Sequence, residues 1–123
     1  MKAILIDTCI WVGVLRGKPV AVSYVQSLEE RPLISALAAA ELVAGVKGKD
    51  EPQRLKALLR SLEVVDVDLA VAELAGRIKA EFGPSHGTCL ADAVIAATAQ
   101  IRKADLVTLN VKHFPMVDCV RPY

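Results

Sequence analysis

Three carboxylates stand in apolar surroundings, where charge is costly. Asp7 ends the apolar run Ala3 to Ile6, Glu41 is the only charge in SALAAAELVAGV, and Asp92 is the only charge in CLADAVIAATAQI. Burying an ionised carboxylate without a partner costs several kcal/mol. Each acid has an ordinary explanation when taken alone. Asp7 can cap the helix that follows it. Glu41 can sit on a narrow solvated edge. Asp92 lies near a helix start, where the macrodipole favours a negative charge by about 0.3–1 kcal/mol. Together they ask for more. Three converging acids repel, and no lysine or arginine flanks any of them closely in sequence. A hard divalent cation resolves that conflict, and magnesium, with manganese able to substitute, fits an all-oxygen donor set best.

Polar residues around these acids extend the pattern. Thr8 follows Asp7, and Thr108-Leu109-Asn110 follows an apolar run beginning at Asp105. Thr8 and Thr108 are expected to support the acidic ligands without binding the cation. Asn110 is read as a neutral oxygen ligand, as the holder of a metal-bound water, or as a turn residue ending a strand. A cation held by Asp7 and Asp92, with Glu41 reaching it directly or through water, suits phosphodiester hydrolysis. Arg16, Lys18, Lys47, Lys49, Lys112 and His113 are available for a substrate backbone, with Arg16, Lys18 and Lys112 favoured because they follow the acidic segments. His86 is read as a loop residue and His113 as a strand-end residue, neither catalytic.

These side chains need a scaffold that brings them to one edge. Short apolar runs at Ala3 to Ile6, Pro32 to Ser35, Glu63 to Val67, Asp105 to Thr108 and Val117 to Val120 read as strands. Helical segments lie between them: Thr8 to Leu15, Pro19 to about Glu30, Ala36 to Val46, Glu51 to Ser61, Asp68 to Phe82, and one from Thr88 or Cys89 to about Lys103. Pro19 suits a first helical turn and Ser35 an N-cap. Gly83-Pro84-Ser85-His86-Gly87 reads as a loop. Apolar strands alternating with helices predict an α/β fold, a three-layer α/β/α sandwich on a mainly parallel sheet. Ligands in such sheets gather at the carboxyl ends of the strands. Asp7 would lie there, Glu41 on a helix leaving that edge, and Asp92 in the first turns of another.

Composition narrows the classes. The 123 residues are 54% hydrophobic but only 4% aromatic, so the core is aliphatic and one domain spanning residues 1–123 is expected. The net charge of +1 argues against a basic nucleic-acid glue, although an acidic pocket and a basic rim would cancel in that sum. Cys9, Cys89 and Cys119 form neither a CxxC nor an even set, and read as small buried hydrophobes in a reducing cytoplasm. The N-terminal apolar run is broken by Asp7 and lacks a cleavage pattern, and no segment is long enough to span a membrane. The apolar stretches Pro19 to Val25 and Ala36 to Val46 exceed what one small domain hides, which predicts interfaces. Twofold self-association is the commonest solution, leaving the second patch for another partner.

Phosphate-transfer folds fit less well. An Asp-x-Asp phosphatase motif is spoiled by Cys9, a receiver domain would need paired acids where only Asp7 stands, and neither GxGxxG nor a P-loop is present.

LIDTCIWV, SALAAAELVAGV, LADAVIAATA and TLNVKHF, in that order, resemble the PIN-domain nucleases, and most closely the VapC-type toxins of toxin–antitoxin pairs. The Asp-Ala-x-Ile-Ala-Ala segment from Asp92 to Ala97 is the most specific of the four. The resemblance covers essentially the whole chain. It implies an α/β/α sandwich, a magnesium-dependent endoribonuclease site, a homodimer and a small cognate antitoxin. It also implies that Asp7, Glu41 and Asp92 are the acidic ligands, and that Asn110 stands where many members carry a fourth Asp and others an Asn. That segment commonly reads Thr-Arg-Asn, whereas Leu109 here replaces the arginine and removes a candidate phosphate contact. The alternative is a nucleic-acid- or protein-binding module of the same fold whose site has decayed. The three intact acids argue against it.

Overall fold

The computed structural model describes residues 2–123. Five short strands form one sheet: β1 (Ile4–Ile6), β2 (Leu33–Ser35), β3 (Glu63–Val65), β4 (Asp105–Val107) and β5 (Cys119–Val120). Their spatial order is β3-β2-β1-β4-β5, and every neighbouring pair is parallel. Leu5 and Leu106 sit side by side in register at the centre, and neither is accessible to solvent. Such two-sided burial explains why these strands read as continuous apolar runs and not as alternating ones.

Six helices connect the strands: α1 (Thr8–Leu15), α2 (Pro19–Gln26), α3 (Ala36–Gly45), α4 (Asp50–Ser61), α5 (Leu69–His86) and α6 (Leu90–Arg102). The chain leaves β1 toward β2 and β3, then crosses back to β4, so the connections run in opposite directions on either side of β1. Right-handed crossovers then put α1 to α4 on one face and α5 and α6 on the other. The packing largely follows that division: α1 meets α2, α3 and α4, α5 lies along α6, and α3 also touches α6. The layered α/β architecture expected from the sequence is the one observed.

The core is aliphatic. Leu5, Ile6, Ile10, Ile34, Leu106 and Val107 share one buried cluster with α6, in which every residue from Ala93 to Ala99 is inaccessible or nearly so. Each large aliphatic side chain so buried contributes about 1.5–3 kcal/mol. Small residues let the helices approach: a Cβ on Gly13 would lie 3.0 Å from Ala21 Cβ across the α1–α2 contact. Trp11 is fully buried and its indole N–H is the one buried side-chain polar atom without a partner among the described residues. An orphan of that kind costs about 1–3 kcal/mol. No helix among the described residues is long and apolar enough to cross a membrane.

Several boundaries differ from those expected. Helix α2 ends at Gln26 and not near Glu30, and β3 stops at Val65 and not Val67. The segment Gly83 to His86, expected as a loop, is the last turn of α5. Pro84 forfeits only one backbone bond so close to the end, and the helix then stops at Gly87, whose left-handed φ of 66° suits glycine.

Candidate metal centre

Asp7 sits where β1 becomes α1. Its backbone is held in the sheet by donation of its N–H to Val107 O at 2.9 Å. Its extended φ and ψ make it the N-cap of α1, and Oδ1 accepts from Thr8 N at 2.8 Å. Thr108, fully buried just past β4, donates its hydroxyl to Asp7 Oδ2, also at 2.8 Å. The side chain is thus both a cap and a buried acid. Only 5% of it is exposed, and burial pushes its carboxyl above the ordinary value. The Thr108 and Thr8 hydrogen bonds oppose that rise, and the nearby negative charge of Asp92 adds to it.

Glu41 lies on the exposed side of α3, not inside apolar surroundings as its sequence context suggests. It is tied to the same centre by Thr8, whose hydroxyl donates to Glu41 Oε1 at 2.9 Å. Asp92 occupies the first turn of α6 and is half-buried. Its N–H points to the Sγ of Cys89, the N-cap of that helix, at 3.5 Å. Asn110 is exposed, and its N–H donates to Thr108 Oγ1 at 3.0 Å. Thr108 therefore accepts from the Asn110 backbone while donating to Asp7, and Thr8 bridges Asp7 to Glu41.

The acids form an open set. Asp7 feels the charge of Asp92 directly and reaches Glu41 through Thr8. Among the described residues no three His, Cys, Asp or Glu side chains are drawn into a compact ligand cluster. Mutual repulsion favours side-chain rotamers that keep like charges apart. No lysine or arginine forms an ion pair with any of the three acids among the described residues; the pairs present are Lys2 with Asp105 and Asp118, Arg102 with Glu63, and His113 with Asp92. A buried carboxylate beside a second one, without a cationic neighbour and with only oxygen donors supplied by Asp7, Asp92, Glu41 and Asn110, fits a hard divalent ion.

The cations assigned to a substrate backbone are scattered. Arg16 is exposed at the end of α1 and lines a small cleft of about 60 Å³ with Glu41, Leu42 and Val46. Lys18 places its ammonium 5.0 Å from the centre of the Tyr123 ring, so a cation–π contact already occupies it. Lys112 is exposed in the 3₁₀ turn Val111–His113, next to Asn110. Lys47 and Lys49 lie beyond the end of α3.

Three neighbours of the site make contacts there that the sequence reading did not assign to them. His113 belongs to that 3₁₀ turn and not to a strand end, and its Nδ1 is 3.6 Å from Asp92 Oδ2. Cys9 places its Sγ 3.7 Å from Asp7 Oδ2, with burial and the Asp7 charge both raising its thiol. Arg121 follows β5 and donates to Leu109 O at 3.0 Å, bringing a guanidinium beside the Thr108–Asn110 segment. Only the last had a usable signal, since the residue after a strand parallel to β4 must emerge at the same edge. Cys89 is exposed, unlike the buried thiol expected.

The PIN domain family model matches residues 4–118. The chain belongs to the PIN-domain family. Two curated relatives come from Mycobacterium tuberculosis. The protein named ribonuclease VapC19 is 38% identical over 96% of this chain and 97% of its own. The protein named ribonuclease VapC10 is 35% identical over 97% of this chain and 91% of its own. Among solved structures, a toxin–antitoxin complex from Klebsiella pneumoniae contains a chain that superposes with a TM-score of 0.86 at 27% identity, covering 98% of each chain. The PIN-domain match thus takes in strands β1 to β4 and all four segments carrying the polar constellation, and stops just before β5.

Proposed function

We propose that this PIN domain is a magnesium-dependent endoribonuclease, the toxin of a toxin–antitoxin pair, and that it hydrolyses RNA phosphodiester bonds at the Asp7–Glu41–Asp92 edge. The observation that carries the reading is Asp7. It is a nearly inaccessible carboxylate, held by two donors, beside a second carboxylate and without a basic partner. Capping of α1 would be served as well by a neutral asparagine or serine, so it gives no reason to keep a buried charge there.

Asp7 and Asp92 would hold the ion, with Glu41 bound directly or through water. Manganese should substitute for magnesium. When bound, the ion neutralises charge on the phosphoryl oxygens and favours ionisation of the attacking water. Thr108 fixes the orientation of Asp7, and Thr8 fixes that of Glu41, so both acids are set before substrate arrives. Glu41, on the exposed side, orients the attacking water. Asn110 offers a neutral oxygen to the same edge. Arg16 and Lys112 are placed to hold flanking phosphates, whereas Lys18 must first leave Tyr123.

Nothing in this chemistry uses the 2′-hydroxyl. The preference for RNA comes from the names of the relatives, as does the antitoxin. A partner also suits the surface. Helix α3 leaves Val43 58% exposed, with Ala40, Ala44 and Gly45 around it, and α2 leaves Val20 47% exposed. We assign one such surface to a second copy of the chain, the other to the antitoxin, and a cytoplasmic setting to the pair. An antitoxin arginine or lysine entering the acidic pocket would silence the enzyme by neutralising the same carboxylates.

The test is cleavage of a generic RNA by purified protein, with magnesium and with chelator, beside a mobility assay. Cleavage only with metal, lost in Asp92→Asn, is expected. RNA that shifts without being cut under either condition would favour the decayed binding module.

A further inference from the structure

Each acid of the candidate centre faces a side-chain donor from another element. Thr108 serves Asp7 at 2.8 Å and Thr8 serves Glu41 at 2.9 Å. The remaining acid, Asp92, faces His113, with Nδ1 3.6 Å from Oδ2. No other side-chain donor reaches the Asp92 carboxylate among the described residues. The separation lies just outside the hydrogen-bond range of about 2.7–3.2 Å, a gap that small side-chain rotations close.

The backbone beneath the imidazole is fixed. Thr88 is fully buried, and its hydroxyl donates to His113 O at 2.8 Å. His113 N donates to Asn110 O at 3.0 Å, and the next residue, Phe114, is 1% exposed in the core. Thr88 immediately precedes the cap of α6, and Asp92 is in the first turn of that helix. Thr88, His113 and Asp92 therefore close a short ring between the turn after β4 and the start of α6. The side chains of His113 and Asp92 are the parts of it free to adjust.

We propose that His113 is a positioning residue: its Nδ1–H holds one oxygen of Asp92 so that the other is presented to the divalent cation. This rests on the reading of Asp92 as a ligand. An aspartate in a first helical turn otherwise samples several staggered rotamers, and a cation must order it on binding. A donor on the oxygen facing away from the metal removes that cost and sets the carboxylate plane. Such partners are worth about 10–100-fold in metal affinity.

The test compares the full-length wild type with His113→Ala, His113→Asn and Asp92→Asn. The Asn amide nitrogen takes nearly the place of the imidazole Nδ1. Manganese binding is titrated by the electron paramagnetic resonance of the free ion, and RNA cleavage is measured against magnesium concentration. His113→Ala should weaken manganese binding about tenfold or more, leave kcat at saturating metal close to wild type, and be largely restored by His113→Asn. Thr88 bonds to a backbone oxygen that all three His113 forms share, so folding is retained, which Trp11 fluorescence checks. Unchanged manganese binding in His113→Ala overturns the proposal, and if cleavage falls nonetheless the ring acts on RNA. Failure of His113→Asn to restore binding overturns it also. Manganese binding that survives Asp92→Asn would overturn the site itself, whereas loss in Asp92→Asn with none in His113→Ala overturns only the positioning role.

Discussion

Replacing Thr108 by valine removes one hydroxyl and almost no volume. That hydroxyl donates to the buried Asp7 carboxylate at 2.8 Å, and Thr108 is itself inaccessible, so no water replaces the donor without rearrangement. A hydrogen bond to a charged group is worth about 1.5–3 kcal/mol, against about 0.5–1.5 kcal/mol for a neutral pair. The Asn110 N–H also loses its acceptor, but Asn110 is exposed and water serves it. Unfolding entropy of about 2.1 cal/mol/K per residue gives ~0.26 kcal/mol/K for this chain, so Thr108→Val should lower Tm by about 6–12 °C at neutral pH. The decisive comparison is a double-mutant cycle with Asp7→Asn, followed in urea by the fluorescence of Trp11, the single tryptophan. In the Asp7→Asn background the same valine should cost about 1 kcal/mol less, because the acceptor is neutral. The cost should shrink likewise on acidification, as Asp7 takes up its proton. Equal costs in both backgrounds, within about 0.3–0.5 kcal/mol, would refute the argument that Thr108 is there to hold an ionised Asp7.

Asp7→Asn alone should melt above wild type at pH 7 without metal. Burial raises the Asp7 carboxyl above its ordinary 3.8, so the stability given by its neutral form is complete below that value and is lost as pH rises through the folded value. Thermal melts across pH should therefore show the gap between the two proteins closing toward acid, and a gap that widens there would contradict the sign. Asp92→Asn and Glu41→Gln should each cut magnesium-dependent cleavage at least about a hundredfold, since several kcal/mol of charge stabilisation are at stake. Asn110→Ala should cost less than Asp92→Asn in the same assay, because a neutral oxygen binds a hard cation more weakly than a carboxylate does. Val43→Lys should change monomer stability by no more than about 0.5 kcal/mol in urea, yet abolish co-purification with the partner or with a second copy. Retained association of both kinds would remove α3 from the proposed interfaces.

The order of elements was readable because burial on both faces leaves a simple mark. Ile4 to Ile6, Leu33 to Ser35 and Asp105 to Val107 are short runs bounded by polar caps, and the helices between them carry turn signals at Gly17, Pro19 and Ser35. The limits of α5 were not readable, since Gly83 and Pro84 break helices by propensity but cost little in a final turn. Asp7 was legible as an acid ending a buried strand. Glu41 was singled out for a reason the structure changes: its apolar neighbours suggested burial, but much of α3 is exposed, and on the proposed reading that apolarity serves association. The contacts of His113 and Cys9 were not readable because they are distances to Asp92 and Asp7, and the His113 contact spans a turn fixed by tertiary bonds such as that from Thr88. Spacing along the chain carries no trace of such a contact.

The account turns on whether Asp7 and Asp92 share one divalent ion. Crystals grown with manganese, measured near its absorption edge, answer that directly. An anomalous peak about 2.1 Å from a carboxylate oxygen of each residue is expected, with Glu41 bound directly or through one water, and with the peak absent in Asp92→Asn. A peak at neither acid, or one that survives in Asp92→Asn, would contradict the central claim.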